Sequence, residues 1–198
     1  MNQELKRIEK YLISRKFEEK SYKDLSRPKA NKDSRIPTSL IDDITNKAFC
    51  FDDISDSFYD KRLHLSSADA LLLKDNLYLI ELKPIGSKKL DHEISKKIIE
   101  SFHTLRERVF KDNNTDPSKF EIHFILIRED NALDKYSEAI EQKTKKRFSN
   151  PKTTPLPPDN EPFDKYKQRY IDNNKRVYYD SVEIWEKSEF LNKITKLK

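Results

Sequence analysis

Glycine is almost missing from this chain, with Gly86 the one copy in 198 residues. A P-loop or a dinucleotide-binding turn needs several glycines at fixed spacing, where the backbone must come close to a phosphate, so both are excluded and no nucleotide cofactor is expected. Cysteine is as scarce: Cys50 stands alone, which excludes a disulfide within the chain and any cysteine-based zinc site. Cys50 reads most simply as a small buried hydrophobe. The four histidines, His64, His92, His103 and His123, show no metal-ligand spacing. No stretch approaches the ~18 apolar residues needed to cross a bilayer. The opening MNQELKRIEKYLISRK is amphipathic and lacks the apolar centre of a secretory signal. The expectation is a soluble, cytoplasmic protein without a membrane partner.

What the chain has in quantity is charge. Lys and Arg number 40 against 35 Asp and Glu, a formal +5, and the charged share is 38%. A polyanionic partner is compatible with this balance, but the two signs are interleaved, which describes a surface rich in short ion pairs equally well. Leu, Ile, Val and Phe together number 51 of 198, above the ~20% below which a chain fails to bury a core. One folded domain spanning 1–198 is expected.

Along the chain, Leu5, Ile8, Leu12 and Ile13 recur at helical spacing over residues 2–17. A polar connection with Pro28 and Pro37 runs over 18–37. Thr38 or Ser39 can cap a short helix to about Phe49, with Leu40, Ile41, Ile44 and Ala48 on one side. The acidic FDDISDSFYD that follows has its apolar residues too scattered to assign. From Ser66, two apolar runs flank Lys74, Asp75 and Asn76 and read as a β-hairpin. A long helix then carries Leu90, Ile94, Ile98, Phe102, Leu105 and Val109 on one face, and FEIHFILIRE reads as a buried central strand. ALDKYSEAIEQKTKKRF predicts a further helix, its basic end suiting the dipole. Residues 149–163 hold five of the nine prolines and read as a surface loop; a strand near 177–185 and a short helix complete an extension over 164–198. The expected class is α/β, a mixed sheet flanked by helices.

The chemistry concentrates in the hairpin. Glu81 and Lys83 share a strand face with Leu77 and Leu79, because side chains alternate. Whether Asp69 joins them depends on the loop. A three-residue loop, Lys74 to Asn76, puts Asp69 opposite Glu81, with Asn76 suited to a left-handed position. A two-residue Asp75-Asn76 loop pairs Asp69 with Leu82 and turns it to the other face. Two facing carboxylates in an apolar sheet repel unless a proton or a cation compensates them. Magnesium does so with hard oxygen ligands, leaving room for phosphate oxygens, and a lysine nearby can stabilise charge that develops on phosphate.

Asp69 followed by Glu81-Leu82-Lys83 at the end of an apolar strand resembles the PD-(D/E)xK nuclease superfamily and its restriction-endonuclease-like fold. The likeness extends over the order helix, hairpin, long helix and strand, about residues 2–128. The E-x-K triplet itself is common, occurring also at Glu4, Glu18 and Glu141; the apolar strand sets the copy at Glu81 apart. Ala68 stands where the family name has proline, and the Gln-x-x-x-Tyr signature of one exonuclease-like branch is absent. The resemblance implies Asp69, Glu81 and the Leu82 carbonyl as ligands of Mg2+ or Mn2+, Lys83 as the residue that assists water, and DNA as substrate. It implies an endonuclease of restriction, repair or defence type, a homodimer where both strands are cut, and an acid on the first helix, for which Glu9 is the candidate. Lys88 and Lys89, after the E-x-K strand, are placed for phosphate contacts.

His123 reads as a hydrogen-bonded core residue, and His103 and Arg106 as a helix flank. The tyrosines at 166, 170, 178 and 179 read as packing before base stacking. Two alternatives keep much of this reading: a domain that binds without cutting, and an RNA-directed nuclease of the same mechanism.

Overall fold

The computed structural model describes residues 1–26, 39–59, 65–83, 88–130 and 178–197. The expected helix at 132–148, the proline-rich segment and Tyr166 and Tyr170 lie outside these residues.

The chain opens with helix α1 (Gln3–Ser14), capped by the Asn2 side chain, which accepts from the Glu4 N–H and burying Leu5, Ile8 and Leu12. Strand β1 (Glu19–Ser21) runs into the single turn α2 (Tyr22–Leu25), with Ser21 as its cap. Strand β2 (Lys47–Cys50) and helix α3 (Phe51–Phe58) follow. Next come the hairpin strands β3 (Ala70–Leu73) and β4 (Leu77–Lys83) and helix α4 (Lys88–Thr104). A π-helical turn over Leu105–Phe110 prolongs α4. Strand β5 (Ile122–Arg128), strand β6 (Ser181–Glu186) and helix α5 (Lys187–Ile194) complete the described elements.

The six strands form one mixed sheet in sequence order. β1 to β4 are antiparallel neighbours, while β4, β5 and β6 run parallel. A parallel neighbour cannot be reached by a tight turn, and α4 supplies the crossover between β4 and β5. Alternation then sorts the apolar residues to two faces. Leu77, Leu79, Phe124 and Leu126 pack with α1, α3 and α4 on one side. Tyr78, Ile80, Leu82, Ile125 and Ile127 pack with Tyr22, Trp185 and Phe190 on the other. The expected central strand is found in β5, bonded on both edges. Phe124 at its middle is fully buried and edge-to-face with Tyr179 at 5.6 Å between centroids. Phe124→Ala is expected to cost about 3–5 kcal/mol through lost burial and the cavity left behind, read as a lower urea midpoint with an unchanged slope.

One expected element is absent, and one unassigned stretch is a helix. The helix from Thr38 or Ser39 to Phe49 does not form: residues 41–46 are irregular and Lys47–Cys50 is a strand. The Asp43 carboxylate accepts from the N–H groups of Thr45 and Asn46, a local turn that competes with helix. Ala48 and Phe49 go to opposite faces of the sheet, and Ile44, assigned to the apolar stripe, is exposed. Conversely, the unassigned acidic stretch is α3, with Asp52 and Asp53 in its first turn, where the dipole favours them. Among the described residues, no helix is long and apolar enough to cross a membrane.

Candidate active site

The hairpin register resolves the loop question. Leu73 pairs with Leu77, Leu72 with Tyr78, Leu71 with Leu79 and Ala70 with Ile80. Three residues therefore make the loop, and the next pair outward sets Asp69 against Glu81. Asn76 does not adopt the left-handed conformation anticipated for it; among the described residues only Lys16 and Asn114 have positive φ. The loop is held instead by its neighbours, with Lys74 N–H donating to the Asn76 carbonyl at 3.0 Å and Leu77 N–H to the Glu121 carbonyl at 3.0 Å. The Glu121 N–H in turn donates to Asn76 Oδ1 at 3.1 Å.

Asp69 is fixed from three directions. Its Oδ2 accepts the Leu82 N–H at 2.6 Å, and its carbonyl accepts the Phe51 N–H at 3.1 Å. The preceding residue, Ala68, donates its N–H to Ser101 Oγ on α4 at 2.8 Å. Ser67 is tied by its hydroxyl to the Asp52 carboxylate on α3. The acid thus stands at a junction of sheet, α3 and α4. Ser101→Ala would leave the buried Ala68 N–H unsatisfied, at a cost of about 1–3 kcal/mol. A lower melting temperature is expected.

Glu81 is 0% exposed, on the sheet face packed against α4. Lys97 belongs to no motif of the sequence, yet its ammonium lies between the two acids, 2.8 Å from Glu81 Oε2 and 3.6 Å from Asp69 Oδ1. Lys83 Nζ stands 3.4 Å from the other oxygen, Glu81 Oε1. The side chains of Lys83, Asp69 and Lys97 keep 27%, 19% and 16% exposure, so the cluster opens to solvent on their side with Glu81 at its floor.

The electrostatics follow from this burial. Loss of solvation, followed by repulsion from Asp69, pushes the Glu81 carboxyl up to about 8, and the lysines only partly offset it. Burial also raises Asp69, against the opposing pull of Lys97 and the Leu82 N–H; the Asp52 charge adds to the rise. For Lys97, burial lowers the ammonium, but Asp69 and Glu81 outweigh it and the net direction is up. Lys97 is therefore a firm cation, and the buried Glu81 carboxyl remains only partly compensated by the two lysines.

A divalent cation fits these residues. Glu81 Oε1 is buried and faces the Lys83 ammonium at 3.4 Å without accepting a hydrogen bond, which for a buried carboxylate oxygen is a costly state. Among the described residues no three His, Cys, Asp or Glu side chains converge. The protein would offer two carboxylates and main-chain oxygen such as the Leu82 carbonyl, a set that suits a hard cation sharing its remaining sites with water and phosphate.

The other predicted residues divide. Lys88 and Lys89 open α4 as placed, but their side chains lie outside the described part. Glu9 is half-buried; the nearby acid that acts on Asp69 is Asp52 of α3. His103 and Arg106 are exposed on the helix flank. His123 is half-buried, its Nδ1 2.8 Å from Ser181 Oγ and its ring stacked on Tyr78. Tyr179 is core, donating its hydroxyl to the Ile98 carbonyl at 2.8 Å. Cys50 is half-buried at the start of α3. No protein-family model, curated protein or solved structure matches this chain.

Proposed function

We propose that this protein is a magnesium- or manganese-dependent nuclease of the PD-(D/E)xK type, with a restriction-endonuclease-like fold and DNA as its substrate. The observation that carries the reading is the convergence of Asp69, Glu81 and Lys83 at one end of a buried hairpin, with one carboxylate oxygen of Glu81 left without a hydrogen-bond donor. A surface ion pair would not be built on a fully buried floor. The order α1, hairpin, α4, β5 and the parallel pairing of β4 with β5 support the fold reading.

Asp69, Glu81 and the Leu82 carbonyl would hold the cation, and Lys83 would face the phosphodiester. When bound, the cation supplies Lewis-acid activation of phosphate and of water. The rest is the work of the chain. The Leu82 N–H orients Asp69 by bonding Oδ2, so that Oδ1, which faces Lys97, is the oxygen turned toward the cluster. Lys83, at the partly exposed end of β4, brings a positive charge to the phosphate as water adds to phosphorus and the ester P–O bond breaks. Charge grows on the non-bridging oxygens in that step, and an ammonium already in place stabilises it without reorganisation. Lys88 and Lys89, at the start of α4, would hold the flanking phosphates.

The Lys97 pairing favours one further reading. A cation already hydrogen-bonded to Glu81 and ion-paired with Asp69 suits a domain that binds nucleic acid or a protein partner without cutting it. Incubation with supercoiled plasmid, linear duplex, single-stranded DNA and RNA, each with Mg2+, Mn2+ or EDTA, separates the cases. DNA cleavage dependent on metal supports the proposal. Cleavage of RNA alone transfers the mechanism to another substrate, and salt-sensitive binding without cleavage under any metal supports the binding domain.

A further inference from the structure

The nuclease reading gives Asp69, Glu81 and Lys83 their roles and leaves Lys97 without one, although it makes the closest charged contact in the site. Its ammonium is 2.8 Å from Glu81 Oε2 and 3.6 Å from Asp69 Oδ1. Those are the two carboxylates assigned to the cation, and a divalent ion cannot bridge them while an ammonium lies between them. We propose that Lys97 is a built-in competitor for the metal site: it holds the carboxylates together in the metal-free protein and must be displaced for a divalent cation to bind.

The geometry supports displacement over permanent occupation. Lys97 approaches from α4, whereas both acids belong to the hairpin, so the ammonium can withdraw without disturbing the pairing of β3 with β4. Its four-carbon stem is flexible, and its side chain keeps 16% exposure on the open side of the cluster. Glu81 Oε1 meets only an ion-pair contact from Lys83 at 3.4 Å and accepts no hydrogen bond, so an entering cation has a closer contact to gain at that oxygen. A withdrawn ammonium needs a new counter-anion, and a phosphodiester at the open side provides one. Metal and nucleic acid then favour each other's binding, each raising the other's affinity by the same factor. A protein of this design takes up its cation weakly when no substrate is present.

This inference rests on the assignment of Asp69 and Glu81 as metal ligands, and its test is read without catalysis. Mn2+ binding is measured by calorimetry on the full chain without nucleic acid, for the parent, Lys97→Gln, Lys97→Arg and Glu81→Gln. Competition predicts that Lys97→Gln binds Mn2+ about ten-fold tighter or more, as expected when an opposing coupling is removed. It predicts parent-like affinity for Lys97→Arg, which keeps the charge. Equal or weaker binding by Lys97→Gln overturns the inference. Should Lys97→Gln be unfolded without metal, recovery of structure on adding Mn2+ reads the same competition, and failure to recover overturns it. Absence of Mn2+ binding to the parent and to Lys97→Gln alike sinks the metal-site assignment and the competitor with it. Tighter binding by Lys97→Gln in a protein whose parent cuts no substrate keeps the competitor and discards the nuclease.

Discussion

If the proposed nuclease function holds, replacing Glu81 by glutamine is expected to abolish phosphodiester cleavage, with a loss of at least about a thousandfold in single-turnover rate, because several kcal/mol of charge stabilisation would depend on the cation assigned to it. Asp69→Asn should lose as much. The two changes are close to isosteric, so the folded structure is retained, and the melting temperature of each variant separates a chemical defect from an unfolded protein. Lys83→Ala should behave differently. Its ammonium is 3.4 Å from Glu81 Oε1 and partly exposed, so cation binding persists in the variant while cleavage falls by about two to three orders of magnitude, the scale of losing one group that stabilises transition-state charge. Parent-like rates from Glu81→Gln and Lys83→Ala would show that cleavage does not take place at this cluster.

The second large effect is on stability. Burial, followed by repulsion from Asp69, holds the Glu81 carboxyl up to about 8 in the folded protein, whereas in the unfolded chain it titrates in the ordinary glutamate range. Between those values the folded state binds more protons than the unfolded state, so stability falls as pH rises. The contribution is complete below the ordinary glutamate range and is lost as pH passes through about 8. The raised carboxyl of Asp69 acts in the same sense. In EDTA, the melting temperature should therefore drop steadily from mildly acidic to mildly alkaline pH, by several degrees in all. Mg2+ or Mn2+ should restore most of the loss at the alkaline end, because a cation compensates the ionised pair and binding stabilises the state that holds it. Glu81→Gln should flatten the profile and remove the metal response. A melting temperature that rises over the same interval in EDTA would contradict the raised, buried Glu81 carboxyl.

The parts of this site that were legible in sequence are those carried by local pattern. Two apolar runs around Lys74, Asp75 and Asn76 identify a hairpin whatever the loop type, and Glu81 and Lys83 share a face by alternation alone. The position of Asp69 was not fixed in the same way, since Asp75-Asn76 serves as well in a two-residue loop as in the longer one. Pairing with the start of β5 decides it, through Asn76 and Glu121, and that contact spans sequence no local pattern reaches. Lys97 was missed because Lys96 and Lys97 together look like a solvated helix face. The signal was nevertheless there: Ile94, Lys97, Ser101 and Leu105 follow helical spacing, and a lysine within an apolar stripe has a buried partner to explain. Lys96 instead pairs with Glu100 near the surface.

The misreading of residues 38–49 has the same origin. Leu40, Ile41, Ile44 and Ala48 fit a helical stripe by spacing, but β2 lies between β1 and β3, with Phe49 opposite Glu19 on one side and Leu71 on the other. Sheet pairing on both edges outweighs a weak local preference. In α3 the preference was hidden by acids that suit a helix start, and burial of Phe51, Ile54 and Ser55 supplies what the sequence did not display.

The central claim, that these carboxylates serve metal-dependent hydrolysis of nucleic acid, is tested most directly by nicking of supercoiled plasmid. Parent and Glu81→Gln proteins, purified side by side, are incubated with Mg2+ or with EDTA. Nicked and linear product from the parent in Mg2+, with none in EDTA and none from Glu81→Gln, is the predicted result. Cleavage that survives in Glu81→Gln, or that proceeds unchanged in EDTA, would contradict it.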